Sequence, residues 1–158
     1  MPSDRPRLRV AMVGYGFMGA AHSQGWRTAP RFFDLPAEPE LAIIVGRDPE
    51  RVEAARQKFG WAAAETDWRR VIDDPTIDIV DICTPGDSHV GIAIAALDAG
   101  KHVLCEKPLA NTVEEATRMV AAAERAAGRG IPSMVGFSYR RLPCVAPTPP
   151  RDTLIIVP

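Results

Sequence analysis

A doubly wound α/β fold with a mainly parallel sheet is what this sequence predicts, on three observations. Short apolar, β-branched runs alternate with stretches of helical spacing over residues 7–137. The segments between successive runs are long enough for crossover helices rather than hairpins. The first run stops at a glycine cluster, Gly14-Tyr15-Gly16-Phe17-Met18-Gly19, as a strand does when it turns tightly into a helix.

Each element has its own local reason. Residues 7–13 are the first strand, and residues 18–29 the helix after the glycine cluster. Pro30, Pro36 and Pro39 are expected to keep the backbone extended or turning until the next buried strand, residues 41–45. Asp48-Pro49-Glu50 starts a helix over residues 49–59, with Asp as the cap and Pro at the first helical position, and Gly60 stops it. Residues 67–73 form a short helical stretch closed by Pro75, and residues 77–83 a strand interrupted by Asp78 and Asp81. A Pro85-Gly86 turn leads to a helix over residues 88–99, ended by Gly100, and residues 102–105 form a strand. Thr112-Val113-Glu114-Glu115 is a capping box for a helix that continues to Ala127, with Gly128 expected to supply a left-handed cap. Residues 133–137 are the last clear strand.

Composition narrows the function classes. A chain of 158 residues, 46% hydrophobic and 25% charged, can bury the core of one domain. Its 19 Lys and Arg against 20 Asp and Glu leave a formal charge of −1 with no basic segment, so a nucleic-acid or anionic-membrane partner is not expected. The first nine residues lack an apolar leader core, and no apolar run approaches membrane-spanning length, which reads as a cytoplasmic protein. Cys83, Cys105 and Cys144 lack the spacing of a disulfide framework or a zinc site, so reduced thiols and no metal are expected.

The glycine cluster carries the first chemistry. Gly14-x-Gly16-x-x-Gly19 follows a strand and opens a helix inside a βαβ unit, the context in which this spacing marks a dinucleotide site of the Rossmann type. Gly14 permits the tight turn, Gly16 lets the backbone approach a pyrophosphate, and Gly19 lets the helix pack on the strand. In such a unit the end of the second strand meets the adenosine ribose, where an acid suits a free 2′-hydroxyl and an arginine a 2′-phosphate. Here it reads Gly46-Arg47-Asp48, which tilts the cofactor toward NADP over NAD, although Arg47 as a solvated residue and Asp48 as a helix cap fit nearly as well. Thr84 and His89, after the third long strand, can line the crevice at the carboxyl edge of the sheet. The next strand end, Cys105-Glu106-Lys107-Pro108, sets an acid and a lysine at the same edge, where the lysine can relay a proton or hold a substrate hydroxyl. Taken alone, that tripeptide is a polar turn.

Together these motifs resemble the Gfo/Idh/MocA oxidoreductases: the 14–19 cluster, Thr84-Pro85 with His89, residues 103–109 around Glu106-Lys107-Pro108, and residues 135–141 through Ser138, Tyr139, Arg140 and Arg141. The resemblance covers about residues 7–143, and Glu-Lys-Pro is its most specific signature. It implies that Lys107 contacts both the nicotinamide and the hydroxyl on the reacting carbon, and that Thr84, Pro85, His89 and Glu106 match cofactor-contacting positions. Tyr15, Phe17 and Met18 join them as residues of the glycine loop. Gly86 and Ser138 depart from it, standing where many members carry asparagine.

The implied reaction is hydride transfer between a nicotinamide and a secondary alcohol of a sugar, cyclitol or small polyol. Family members continue into a second α/β domain that carries the substrate pocket and the Asp and His of a D-x-x-x-H motif. After Pro143 this sequence no longer resembles them. Residues 143–158 hold 5 of its 15 prolines, and among them only Arg151 and Asp152 are charged. The division expected is therefore a dinucleotide-binding domain over residues 1–142 and an irregular tail over 143–158, like a truncated or frame-shifted product. Such a chain would bind cofactor with little or no turnover. The apolar patch Leu154-Ile155-Ile156-Val157 could pair with a sheet edge or another chain, so a homo-oligomer is expected.

Overall fold

In the computed structural model, which describes residues 5–138, the first apolar run is the centre of the molecule. Strand β1 (Arg7–Val13) carries Val10, Ala11, Met12 and Val13 with almost no exposed surface, as a parallel strand covered on both faces must. Its side chains alternate between two cores. Val10 and Met12 join Ile44, Val52, Ala55 and Trp61 on one face, and Ala11 and Val13 join Val80, Ile82, Ile92 and Leu97 on the other.

The sheet is built outward from β1. On one side lies β2 (Glu38–Val45), in register from Arg7↔Glu38 to Val13↔Val45 with one shift between Val10 and Ala11, and beyond it β3 (Ala63–Glu65). On the other side lie β4 (Ile79–Ile82), β5 (His102–Cys105) and β6 (Ser133–Val135). All pairings are parallel, and the order is β3-β2-β1-β4-β5-β6. The chain therefore reverses its winding direction between β1 and β4, which opens a crevice at their carboxyl ends. Helices α1 (Phe17–Phe32) and α2 (Pro49–Phe59) cover one face, while α3 (Trp68–Asp73), α4 (His89–Asp98) and α5 (Val113–Ala127) cover the other. This is the Rossmann-like doubly wound arrangement expected. No helix among the described residues is long and apolar enough to cross a membrane.

Local signals fall where expected in several elements. Asp48 Oδ1 accepts the N–H groups of Glu50 and Arg51 at 3.1 and 3.0 Å, and Gly60, at φ 77°, ends α2 in the left-handed region. Thr112 caps α5 by accepting the Glu115 N–H at 3.2 Å.

Other boundaries differ, for physical reasons. Helix α1 runs through Pro30 to Phe32 instead of ending at Ala29. Proline in the last turn deletes one hydrogen bond to the Trp26 carbonyl, but Phe33 N–H still donates to Ala29 O at 3.0 Å. Strand β2 begins at Glu38 and includes Pro39. Glu38 N–H points to β1, donating to Pro6 O at 2.8 Å, so Pro39 faces the other side, where β3 pairs only with Ile43–Val45 and no bond is lost. Gly128 is right-handed, at φ −61°; the chain tightens through Arg129 and Gly130, and Gly130 takes the positive φ of 76°. A 3₁₀ turn, Gly86–Ser88, delays α4 to His89. Strand β3 was not foreseen, because three residues are too few to show an alternation. The proposed tail, with Cys144 and residues 154–157, lies outside the described residues, as do Tyr139, Arg140 and Arg141.

A buried relay ties α1 to the loop between α2 and β3. Trp61 Nε1–H donates to Ser23 Oγ at 2.9 Å, and Ser23 Oγ–H donates to Gly19 O at 2.7 Å. Ser23→Ala strands the indole N–H, and the expected loss is about 1–3 kcal/mol. Urea unfolding checks this, and a midpoint unchanged from wild type would contradict it.

Candidate functional site

The glycines of the first turn do different work. Gly14 has φ 106°, and a Cβ there would stand 2.7 Å from Cys83 O at the end of β4. Its N–H donates to Val45 O at 2.9 Å, so the turn is wedged between the neighbouring strand ends. A Cβ on Gly19 would overlap the Gly14 carbonyl. The fold itself thus demands glycine at both positions. Gly16 differs: its φ is −70° and an added Cβ meets nothing within 4 Å. It is the N-cap of α1 without a side-chain cap, and no acidic residue stands in the first turn. The leading N–H groups of a sixteen-residue helix therefore face the crevice mouth with no side chain capping them.

At the end of β2, the Tyr15 ring fills the space a Cβ on Gly46 would need. Position 46 is therefore glycine because the glycine loop packs on it. Arg47 is exposed and makes no hydrogen bond or ion pair with the described residues, while Asp48 is engaged as the α2 cap. Phe17 is 85% exposed at the start of α1, and Met18 is half-buried beside it.

The loops after β4 and β5 are joined by His89, which is buried. Its Nε2 lies 2.8 Å from Thr84 O and its Nδ1 2.9 Å from Pro108 O. Thr84 Oγ1 accepts from Ser88 Oγ at 2.7 Å. Pro85 and Lys107 are exposed at this edge, and the Lys107–Pro108 peptide is cis. Both ring nitrogens of His89 face backbone carbonyls, of which a neutral ring donates to one, so it shapes the edge through the two loops and does not present a free polar atom to the crevice. At Gly86 a Cβ would stand 2.7 Å from Asn111 Oδ1, so an asparagine side chain packs beside Gly86 from another loop.

Beneath Lys107 lies a buried carboxylate pair that the motifs did not reveal. Glu106 is 5% exposed and Asp81 fully buried. His22, on α1, stands between them: Nδ1 is 3.0 Å from both Asp81 oxygens, and Nε2 is 3.1 Å from Glu106 Oε1. Trp26 Nε1–H donates to Asp81 Oδ2 at 2.7 Å, and Glu106 Oε2 accepts the Lys107 N–H at 3.0 Å. The hydrogen bond to Asp81 raises the His22 pKa above its ordinary 6.5 against the opposing effect of burial, with Glu106 adding to the rise. Burial, with the nearby Asp81 charge, drives the Cys83 thiol far above its usual range and pushes Cys105 up to about 12. Neither is a nucleophile at neutral pH. His22, Asp81 and Cys83 bring donor atoms within 4.8 Å of one another. Asp81 did leave one signal in the sequence: an acid inside a buried strand requires a partner.

Residues 8–133 match the GFO_IDH_MocA family model, described as an oxidoreductase family with an NAD-binding Rossmann fold. The chain is 47% identical over 140 residues to levoglucosan dehydrogenase of Pseudarthrobacter phenanthrenivorans, covering 88% of this chain and 35% of that protein. It is 38% identical over 133 residues to inositol 2-dehydrogenase 4 of Saccharopolyspora erythraea, covering 84% and 37%. Among solved structures, an oxidoreductase domain protein from Kribbella flavida superposes with a TM-score of 0.86 at 62% identity, covering 89% and 38%. Levoglucosan dehydrogenase in complex with NADH gives 0.84 at 47% identity, covering 89% and 37%. The chain thus spans little more than a third of the length of these relatives. With the glycine turn, the strand order and the Glu-Lys-Pro edge in place, this chain belongs to the Gfo/Idh/MocA oxidoreductases, matching the family's NAD-binding Rossmann fold.

Proposed function

We propose that this chain binds NADP(H) or NAD(H) along the carboxyl edge of its sheet, with the pyrophosphate over Gly14–Gly19 and the nicotinamide toward Thr84, Pro85, Glu106 and Lys107. Gly16 carries the reading: no neighbour in the fold forbids a side chain there, so its absence is explained by a ligand that needs the space. When bound, the nicotinamide supplies the hydride exchanged with a secondary alcohol of a sugar, cyclitol or small polyol. Lys107, exposed at the edge and anchored through its own N–H to Glu106, is the residue assigned to hold that hydroxyl and take or return its proton. His89 would act on the cofactor through the Thr84 and Pro108 carbonyls it holds. The levoglucosan and inositol dehydrogenases among the relatives support this substrate class.

A second reading is dinucleotide binding without appreciable turnover. On it, residues 1–142 are the binding unit and 143–158 stand apart. A cytoplasmic location and homo-oligomer formation belong to the same reading.

Titration with NADH and NADPH, followed by fluorescence, tests the site, and absence of binding at millimolar cofactor would refute it. Arg47 sharpens the test because it stands exposed at the β2 end. Arg47→Ala is expected to weaken NADPH by about tenfold or more, the loss of one charge-assisted bond of about 1.5–3 kcal/mol, with NADH nearly unchanged. Equal losses for both would make Arg47 a surface residue only.

A further inference from the structure

We propose that His22 is a positioning residue: as an imidazolium it bridges Asp81 and Glu106, and so fixes Glu106 where its Oε2 holds the Lys107 N–H at the cofactor edge. The assignment rests on reading that edge as the nicotinamide end of the site. Its support is geometric. Both His22 ring nitrogens face carboxylate oxygens, at 3.0 and 3.1 Å, and each contact is a hydrogen bond only if that nitrogen carries a proton. A neutral ring has one such proton, so one contact would set a lone pair against a carboxylate. Among the described residues, His22 is the only cationic side chain within 4 Å of either acid.

The groups around the ring agree. Strand β4 presents Asp81 and, at its end, Cys83, whose Sγ–H lies 3.5 Å from Asp81 Oδ1. Strand β5 presents Cys105, followed by Glu106, and α1 adds the Trp26 N–H to Asp81. The loop after β6 closes the remaining side of Glu106, where a Cβ on Gly136 would stand 2.8 Å from Oε1. Glu106 is thus held by an imidazole, a backbone N–H and a glycine that leaves it room. Of these three, only the imidazole can change its charge near neutral pH. The raised His22 pKa has the sign this bridge requires.

Two-dimensional NMR of the wild type across pH 5.5–9.5 tests the bridge without cofactor. The His22 ring should titrate with a midpoint above 6.5, and the Lys107 amide should shift with the same midpoint. In His22→Gln the Lys107 amide should no longer shift over this range, and in Asp81→Asn the His22 midpoint should fall. A His22 midpoint at or below 6.5, or a Lys107 amide flat through the His22 transition, would overturn the proposal. NADH affinity of the wild type should weaken severalfold as pH rises through that midpoint, and that dependence should vanish in His22→Gln. An affinity whose pH dependence is the same in both proteins would also overturn it. Failure of the wild type to bind NADH at any pH would refute the cofactor reading, and the amide and ring titrations would then decide the bridge by themselves.

Discussion

Gly16→Val is expected to abolish dinucleotide binding while the protein unfolds close to where the wild type does. The residue has φ −70°, which valine accepts, and its Cβ would meet no atom within 4 Å. The folding cost is then confined to a poorer N-cap, about 1 kcal/mol at most. Binding is a different matter, because the branched side chain would stand where the pyrophosphate must reach the N–H groups of α1. Losing one or two charge-assisted bonds of about 1.5–3 kcal/mol each weakens binding by about tenfold at the least and by about 10⁴-fold at the most, and the displaced pyrophosphate loses its seat besides. Gly19→Val supplies the contrast: its Cβ overlaps the Gly14 carbonyl, so this variant should lose stability as well. NADH titration alongside urea unfolding of both variants separates the two effects. Undiminished affinity in Gly16→Val would place the cofactor elsewhere.

Asp81→Ala should be among the most destabilising single changes in the chain. It removes the acceptor of the Trp26 N–H at 2.7 Å and of His22 at 3.0 Å, and leaves the imidazole with Glu106 alone. Breaking a buried charged pair by deleting one partner costs about 3–5 kcal/mol. The pH dependence has a definite sign. The His22 pKa is raised in the folded protein, so its contribution to stability is fully present below the unfolded value of 6.5 and is lost as pH rises through the folded value. Wild-type unfolding free energy should therefore decline over that window, and Asp81→Ala should show a flatter profile at lower overall stability. A wild-type profile that rises with pH there would contradict the ion bridge.

The fold was legible wherever the signal was local. The β1 run, the glycine turn, the Asp48-Pro49 start and Gly60 stop of α2, and the Thr112 cap each depend on residues within a few positions of one another, and each stands where its pattern places it. The cofactor motif was legible for the same reason, since Gly14, Gly16 and Gly19 occupy a single turn. Local rules failed where context outweighed them: Pro30 sits in a last turn that tolerates it, Pro39 faces the unpaired side of β2, and Gly130, not Gly128, takes the positive φ.

Which glycines the fold demands and which it leaves free was decided only by tertiary structure. The motif treats Gly14, Gly16 and Gly19 alike, yet the obstacles at Gly14 are the backbone of a strand some seventy residues away, and Gly16 has none. The same holds for the bridge beneath Lys107. His22 lies 59 residues from Asp81 and 84 from Glu106, and no pattern of spacing joins them. They meet because the strand order sets β1, β4 and β5 side by side and lays α1 over the face on which Asp81 projects. Sequence by itself determined every strand and helix but β3, and the glycine turn proposed to receive a phosphate, because backbone conformation answers to near neighbours. Which buried charges face one another depends on strand order, and burial then makes their pairing obligatory.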